Sequence, residues 1–178
     1  MTLLVRKLRP FILSGLSVVL VACSSSNPSE MSALVRPATD RVAAVEAIRA
    51  ANAGEDSALQ VNPLRDPAVE GFVATAKQAE QQQQLDDAYV AIKKARGLAP
   101  DAPDLLQDQA EIEFLRGNII ESEKLAYESF KKGPQVGTLC VKNWQTIIEA
   151  RKSFNDIDYL KYAESRRDQC KAKRPVRL

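Results

Sequence analysis

Three cysteines, at positions 23, 140 and 170, and a complete lack of histidine limit the chemistry open to this chain of 178 residues. Without imidazole the commonest general base is gone, and with it the usual nucleophile–base triads and most zinc sites. Carboxylate pairs and lysines are what remain for acid–base work. Glu111 and Glu113 stand two apart, so on a helix they face different sides and make no acid–base pair. The sequence carries no glycine-rich phosphate cradle and no metal-ligand cluster. It therefore predicts no catalytic residue, no metal and no cofactor, and points to a binding protein instead of an enzyme.

Cys23 has the most specific surroundings of the three. Residues 1–9 carry Arg6, Lys7 and Arg9 and no acid, and residues 10–22 are uncharged and mostly apolar. That stretch is too short for a membrane span, which needs about 20 apolar residues. A basic start, a short apolar core and a small residue before the cut form a secretory signal. The tetrad Leu20-Val21-Ala22-Cys23 resembles the bacterial lipobox. The resemblance implies that residues 1–22 are a lipoprotein signal peptide and that Cys23, once lipidated, becomes the first residue of the mature chain. The covalent lipid is then its only non-protein group. Three acyl chains exceed the two signals that stable anchoring requires. Ser24, in place of an Asp, implies sorting to the outer membrane with the protein facing the periplasm.

Removing residues 1–22 changes the charge balance from +2 to −1, with 22 bases against 23 acids. The near-neutral total hides an asymmetry. Residues 23–130 hold 10 bases and 18 acids, whereas residues 131–178 hold 12 bases and 5 acids. One reading is two solvated faces of opposite sign; the other is a basic end that meets an acidic partner or an anionic surface. The secretion signal and the lack of a binding motif argue against nucleic acid.

The elements that position these residues are helical. Aromatics are few, at 6%, and alanine is abundant, which favours closely packed helices over a sheet. Residues 23–66 read as a lipid-anchored linker containing one possible helix over 40–53, capped by Thr39 or Asp40 and stopped at Gly54. Val42, Val45 and Ile48 share a face of that helix, with Arg41 and Arg49 beside it. Fully extended, residues 24–66 would span roughly 140 Å at about 3.3 Å per residue, against about 35–40 Å as a flexible coil.

The domain, residues 67–178, shows a self-match at a spacing of 34 residues. Ala76, Ala88, Ala95 and Pro100 recur as Ala110, Ser122, Ser129 and Pro134, and Phe72, Leu85 and Asp87 recur as Leu106, Ile119 and Glu121. This resembles the tetratricopeptide repeat, in which each unit is a pair of antiparallel helices and small side chains sit where the two backbones come close. The fold class implied is all-α: a short solenoid of about three helix pairs, with units near 69–102, 103–136 and 139–171. Asp66-Pro67 would cap the first helix and Asp101 the third, Gly117-Asn118 would turn the second hairpin, and Pro100 and Pro134 would end their units. Tyrosine is missing at Ala79 and Glu113, where the family often has it. The third unit departs further. Trp144 fits its opening position and Asn155-Asp156-Ile157 its turn, but Leu160 and Arg167 replace small residues and about four residues are inserted at 135–138. It reads as a hairpin, 139–154 and 156–171, that caps the stack.

On that hairpin Cys140 and Cys170 lie near the open ends of two antiparallel helices. In an oxidising periplasm, with Cys23 lipidated, a disulfide between them is the expected outcome. A redox-active pair would be the rival, without the Cys-x-x-Cys spacing that usually marks one.

The resemblance also implies a concave groove lined by the leading helix of each unit. Projected onto this chain, its positions are Val73, Lys77, Glu80, Gln107, Glu111, Phe114, Gln145, Glu149 and Lys152. Phe114 reads equally as an exposed anchor or as a core residue. Anchor, leash and short repeat domain together resemble the outer-membrane lipoprotein activators of bifunctional penicillin-binding proteins. That implies a monomer that docks on a periplasmic synthase of peptidoglycan. A pilotin-like or envelope-assembly lipoprotein serving a secretin or pilus system, and a structural cell-wall tether, are the other readings.

Overall fold

The computed structural model describes residues 38–51 and 65–171. The signal sequence, Cys23, Gly54 and the basic C-terminal residues lie outside them. Seven helices occupy the described residues: α1 Ala38–Ala50, α2 Pro67–Gln81, α3 Leu85–Leu98, α4 Pro103–Arg116, α5 Ile119–Lys132, α6 Thr138–Ser153 and α7 Ile157–Gln169. The last six pair as α2/α3, α4/α5 and α6/α7, and successive pairs stack through α3 on α4 and α5 on α6. The result is the short helical-repeat solenoid that the 34-residue period implies.

The repeat's small residues are what let the pairs close. Ala76, Ala88, Ala95, Ala110, Ser122 and Ser129 are all buried. The two serines also bond across the hairpin: Ser122 Oγ donates to the Ala110 carbonyl at 2.7 Å, and Ser129 Oγ to the Pro103 carbonyl at 2.6 Å. A hydroxyl taken out of water without such an acceptor would cost about 1–3 kcal/mol, so each serine is matched to the backbone it touches.

The turns keep the same register. Gln83 (φ 59°), Gly117 (φ 90°) and Asn155 (φ 54°) are left-handed, one in each hairpin. The residue after each donates its backbone N–H five residues back: Gln84 to Ala79, Asn118 to Glu113 and Asp156 to Arg151. This bond satisfies a carbonyl that the helix end leaves orphaned. Gln83 and Gly117 are 34 apart and Gly117 and Asn155 are 38 apart, which locates the four-residue insertion between units two and three.

Caps follow the sequence with two corrections, the first being that α1 runs from Ala38 to Ala50, so Thr39 and Asp40 lie in its first turn and do not cap it. Asp66 accepts from Ala68 N at 2.7 Å, and Asp156 accepts from Tyr159 N at 3.2 Å. Asp101 does not cap α4: the cap position falls on Ala102, with Pro103 opening the helix, and Asp101 instead pairs with Lys132.

α4 and α6 are buried on nearly every side, because each lies between neighbouring helices and beneath α1. α1 therefore belongs to the packed body. It buries Ala44, Val45 and Ile48 against Phe114, Leu115, Ile119 and Ala150. Val42, expected on that face, is half-exposed, and Ala44 takes its place.

The inserted residues bring the end of the chain back. Gly137 N donates to the Cys170 carbonyl at 2.7 Å, beside a Cys140–Cys170 disulfide with a Cα–Cα distance of 5.5 Å. Both cysteines are buried in one cluster with Trp144, Ile147, Leu125 and Phe130.

Candidate functional site

The groove positions expected from the repeat lie on α2, α4 and α6, the leading helices. The structure puts α1 across them. Arg49, near the end of α1, meets Glu80 of α2 through two parallel bonds of 2.7 and 3.0 Å and Glu111 of α4 at 2.7 Å. Lys142 of α6 reaches the other Glu111 oxygen at 2.8 Å. At the opposite end of α1, Arg41 Nε donates to the Leu115 carbonyl at 2.9 Å. Planar guanidinium groups suit such bidentate contacts.

Burial works to raise the Glu111 carboxyl, but the charges of Lys142 and Arg49 outweigh it and hold its pKa below the ordinary value. Burial likewise works against the Arg49 charge, and Glu80 and Glu111 outweigh it. Both groups stay ionised.

Phe114 is fully buried in the α1 contact, which decides between its two readings in favour of core. Gln107 is buried and donates to Glu111 and to Thr146. Gln145 donates to Glu149 and accepts from Arg167. Glu149 is buried and Lys152 pairs with it at 2.8 Å. Val73 is a core residue of the first pair. An open groove lined by these nine side chains is thus not what the described residues form: six of them (Val73, Gln107, Glu111, Phe114, Gln145, Glu149) are buried among their own neighbours. A helix with three apolar positions and an arginine at each end fills the channel.

What stays open is a cavity of about 310 Å³ at the α2 end of the channel. Its wall carries Arg49, Lys77, Glu80, Asp108, Glu111 and Lys142 over a floor of Val73, Ala76, Ile92 and Ile112. Burial and the neighbouring Glu111 charge push the Asp108 pKa up. The cavity offers charge of both signs on a small apolar floor. Among the described residues no group of Cys, Asp and Glu side chains suits a metal ion. Nor does any described helix have the length and apolarity to cross a membrane.

A second candidate lies on the outer face, where sequence reasoning singled out nothing except Trp144 as a large opening residue. Tyr127 and Phe130 of α5 and Tyr162 of α7 all meet the Trp144 ring edge-on, at centroid distances of 6.5, 5.1 and 5.8 Å. Tyr159 extends the row, 5.4 Å from Tyr162. Tyr127 and Tyr162 are exposed by 44% and 50%, while Trp144 beneath them is 1% exposed. Cations sit on these rings: Lys131 over Tyr127, and Arg166 over both Phe130 and Trp144. A signal was there to read: aromatics at 127 and 130 and again at 159 and 162 are spaced i, i+3 on two helices.

No family model and no curated protein matches the sequence. Among solved structures the chain is similar to the globular C-terminal domain of P. aeruginosa LpoP. The identity is 22% and the TM-score 0.56, over 59% of this chain and 99% of that one. At that identity the likeness concerns the fold: almost the whole of that domain has a counterpart here.

Proposed function

We propose that this chain is an outer-membrane-anchored periplasmic lipoprotein whose repeat domain docks on a peptidoglycan synthase, a bifunctional penicillin-binding protein, and activates it. The observation that carries the reading is the order of parts. A lipobox cysteine at position 23 precedes a short helical-repeat domain whose fold is shared by the LpoP C-terminal domain along nearly its whole length. The same order led the sequence to resemble the lipoprotein activators of such synthases.

The mechanism is a population shift. A docked protein favours the active state of its partner only to the extent that it binds that state more tightly. The anchor constrains where docking takes place. With α1 seated on the repeats, residues 24–37 separate Cys23 from the folded body, and fourteen residues span at most about 50 Å. The partner's docking surface must come within that distance, plus the width of the folded body, of the membrane surface unless α1 lets go.

The test is to add purified protein from Ser24 onward to a candidate synthase and to follow glycan polymerisation. A raised rate with a detectable complex is expected. An unchanged rate with no complex removes the proposal. A gene neighbour encoding a secretin, with binding to that protein, would replace it with the pilotin-like reading.

A further inference from the structure

Eight arginines fall within the described residues, and seven of their side chains donate to an oxygen acceptor. Arg49, Arg65, Arg116, Arg151 and Arg167 meet carboxylates. Arg41 donates to a backbone carbonyl and Arg96 to Gln109. Arg166 is the eighth. Among the described residues it has neither a hydrogen bond nor an ion pair from its side chain, and it rests on the Phe130 and Trp144 rings at 5.5 and 5.3 Å. Its Nε is buried without an acceptor, and so is the Trp144 Nε1 beside it. Lys131 across the furrow, 5.2 Å over Tyr127, pairs with no carboxylate either.

Three acids of this region are engaged elsewhere. Glu123 and Asp156 are both held by Arg151, and Asp168 lies against Arg167. No carboxylate of α5 or α7 pairs with Lys131 or Arg166 among the described residues. The site thus combines exposed tyrosines, two cations held on aromatic faces, and two buried donors that no described residue satisfies. A buried donor left unpaired costs about 1–3 kcal/mol; the donors that an incoming carboxylate can reach are the Arg166 Nη atoms and the Lys131 Nζ. Tyr, Trp and Arg are also the side chains that dominate protein interfaces, and an aromatic face holds a cation ready without neutralising it.

We propose that the furrow between α5 and α7, floored by Trp144, is a docking site for an acidic segment of a partner protein. A carboxylate of that segment would pair with Arg166 and Lys131, and its apolar portion would lie on Tyr127 and Tyr162. The inference rests on the docking function proposed above, since it takes the partner to be a protein. It moves the docking surface from the inner groove, which α1 fills, to the outer face.

The experiment uses the full mature lipoprotein in neutral detergent and a short fluorescent poly-L-glutamate peptide as the probe. Trp144 is the only tryptophan in the chain, so its emission reports on the furrow directly. Binding with a shift of that emission is expected, and a poly-L-lysine peptide should give neither. Arg166→Gln should weaken binding about tenfold, as the loss of a charge-assisted bond does, and Lys131→Gln by a smaller factor. Lys124→Gln, whose lysine pairs with Glu121 on the same helix, should leave binding unchanged, and all three variants should keep the parent's helical circular dichroism and melting temperature. Equal weakening by Arg166→Gln and Lys124→Gln would overturn the site, because only general charge attraction would remain. Arg166-dependent binding to phosphatidylglycerol vesicles, with none to poly-L-glutamate, would also overturn it in favour of a membrane surface. The two proposals fail separately. A synthase activated equally by the parent and by Arg166→Gln sinks the furrow alone, whereas Arg166-dependent peptide binding without any synthase response sinks the activator reading alone.

Discussion

The inner and outer faces of this solenoid are built from the same repeat yet treat their charges in opposite ways. On the inner face α1 brings Arg49 to Glu80 and Glu111, and Lys142 completes a set of four paired charges. On the outer face Arg166 and Lys131 lie on aromatic rings, with no carboxylate paired to them among the described residues. A buried carboxylate is tolerated only when paired, so the inner network holds a helix in place and is spent in doing so. The outer cations are held on rings without being neutralised, so their charges remain available. The lesson is that the concave side of a helical repeat is a binding groove only when the chain does not fill it itself.

The contrast can be broken from either side. The largest effect should come from the disulfide, which closes a loop with a sequence separation of 30 beneath the outer furrow. Replacing Cys140 and Cys170 by alanine should cost about 3.5 kcal/mol on the chain-entropy account. Denaturant melts followed through Trp144 would measure this, and a loss below about 1 kcal/mol would mean that the α6/α7 hairpin is held by packing alone.

Ile48→Ala removes the fully buried centre of the α1 contact. A loss of about 2–4 kcal/mol is expected if α1 belongs to the cooperative core. If melting is unchanged while protease cuts near α1, that helix is instead a detachable cover over the inner face.

The smallest effect concerns Asp108. Burial and Glu111 raise its pKa, so between its unfolded and folded pKa values the native state holds the proton more often than the unfolded state does. Stability then falls as pH rises through that window. Asp108→Asn removes the penalty and should raise the melting temperature by about 2 °C at neutral pH, with no gain well below the ordinary carboxylate range. An equal gain at both pH values would show that the effect is not ionisation of this carboxyl.

Much of this was legible beforehand because a repeat states its geometry twice. Ala76, Ala88 and Ala95 mean little alone; their recurrence as Ala110, Ser122 and Ser129 at a fixed interval fixes which backbones must approach. The Cys140–Cys170 pairing followed from the hairpin. Less legible was the fate of the groove. Glu80, Glu111 and Phe114 occupy the positions that the repeat assigns to a binding surface, and nothing local distinguishes a surface that waits for a partner from one already covered. Asp101 failed as a cap for a local reason: Ala102 and Pro103 open the helix one residue later, which frees Asp101 for Lys132.

The sequence by itself determined the helix pairs, their register, their turns and the single covalent cross-link, since each follows from spacing along one chain. Only the tertiary structure decided that α1 lies in the channel and that Tyr127, Trp144 and Tyr162 meet across three helices. Those contacts join residues with no periodic relation to one another. Their partners are set by which surfaces remain uncovered once the repeats have stacked.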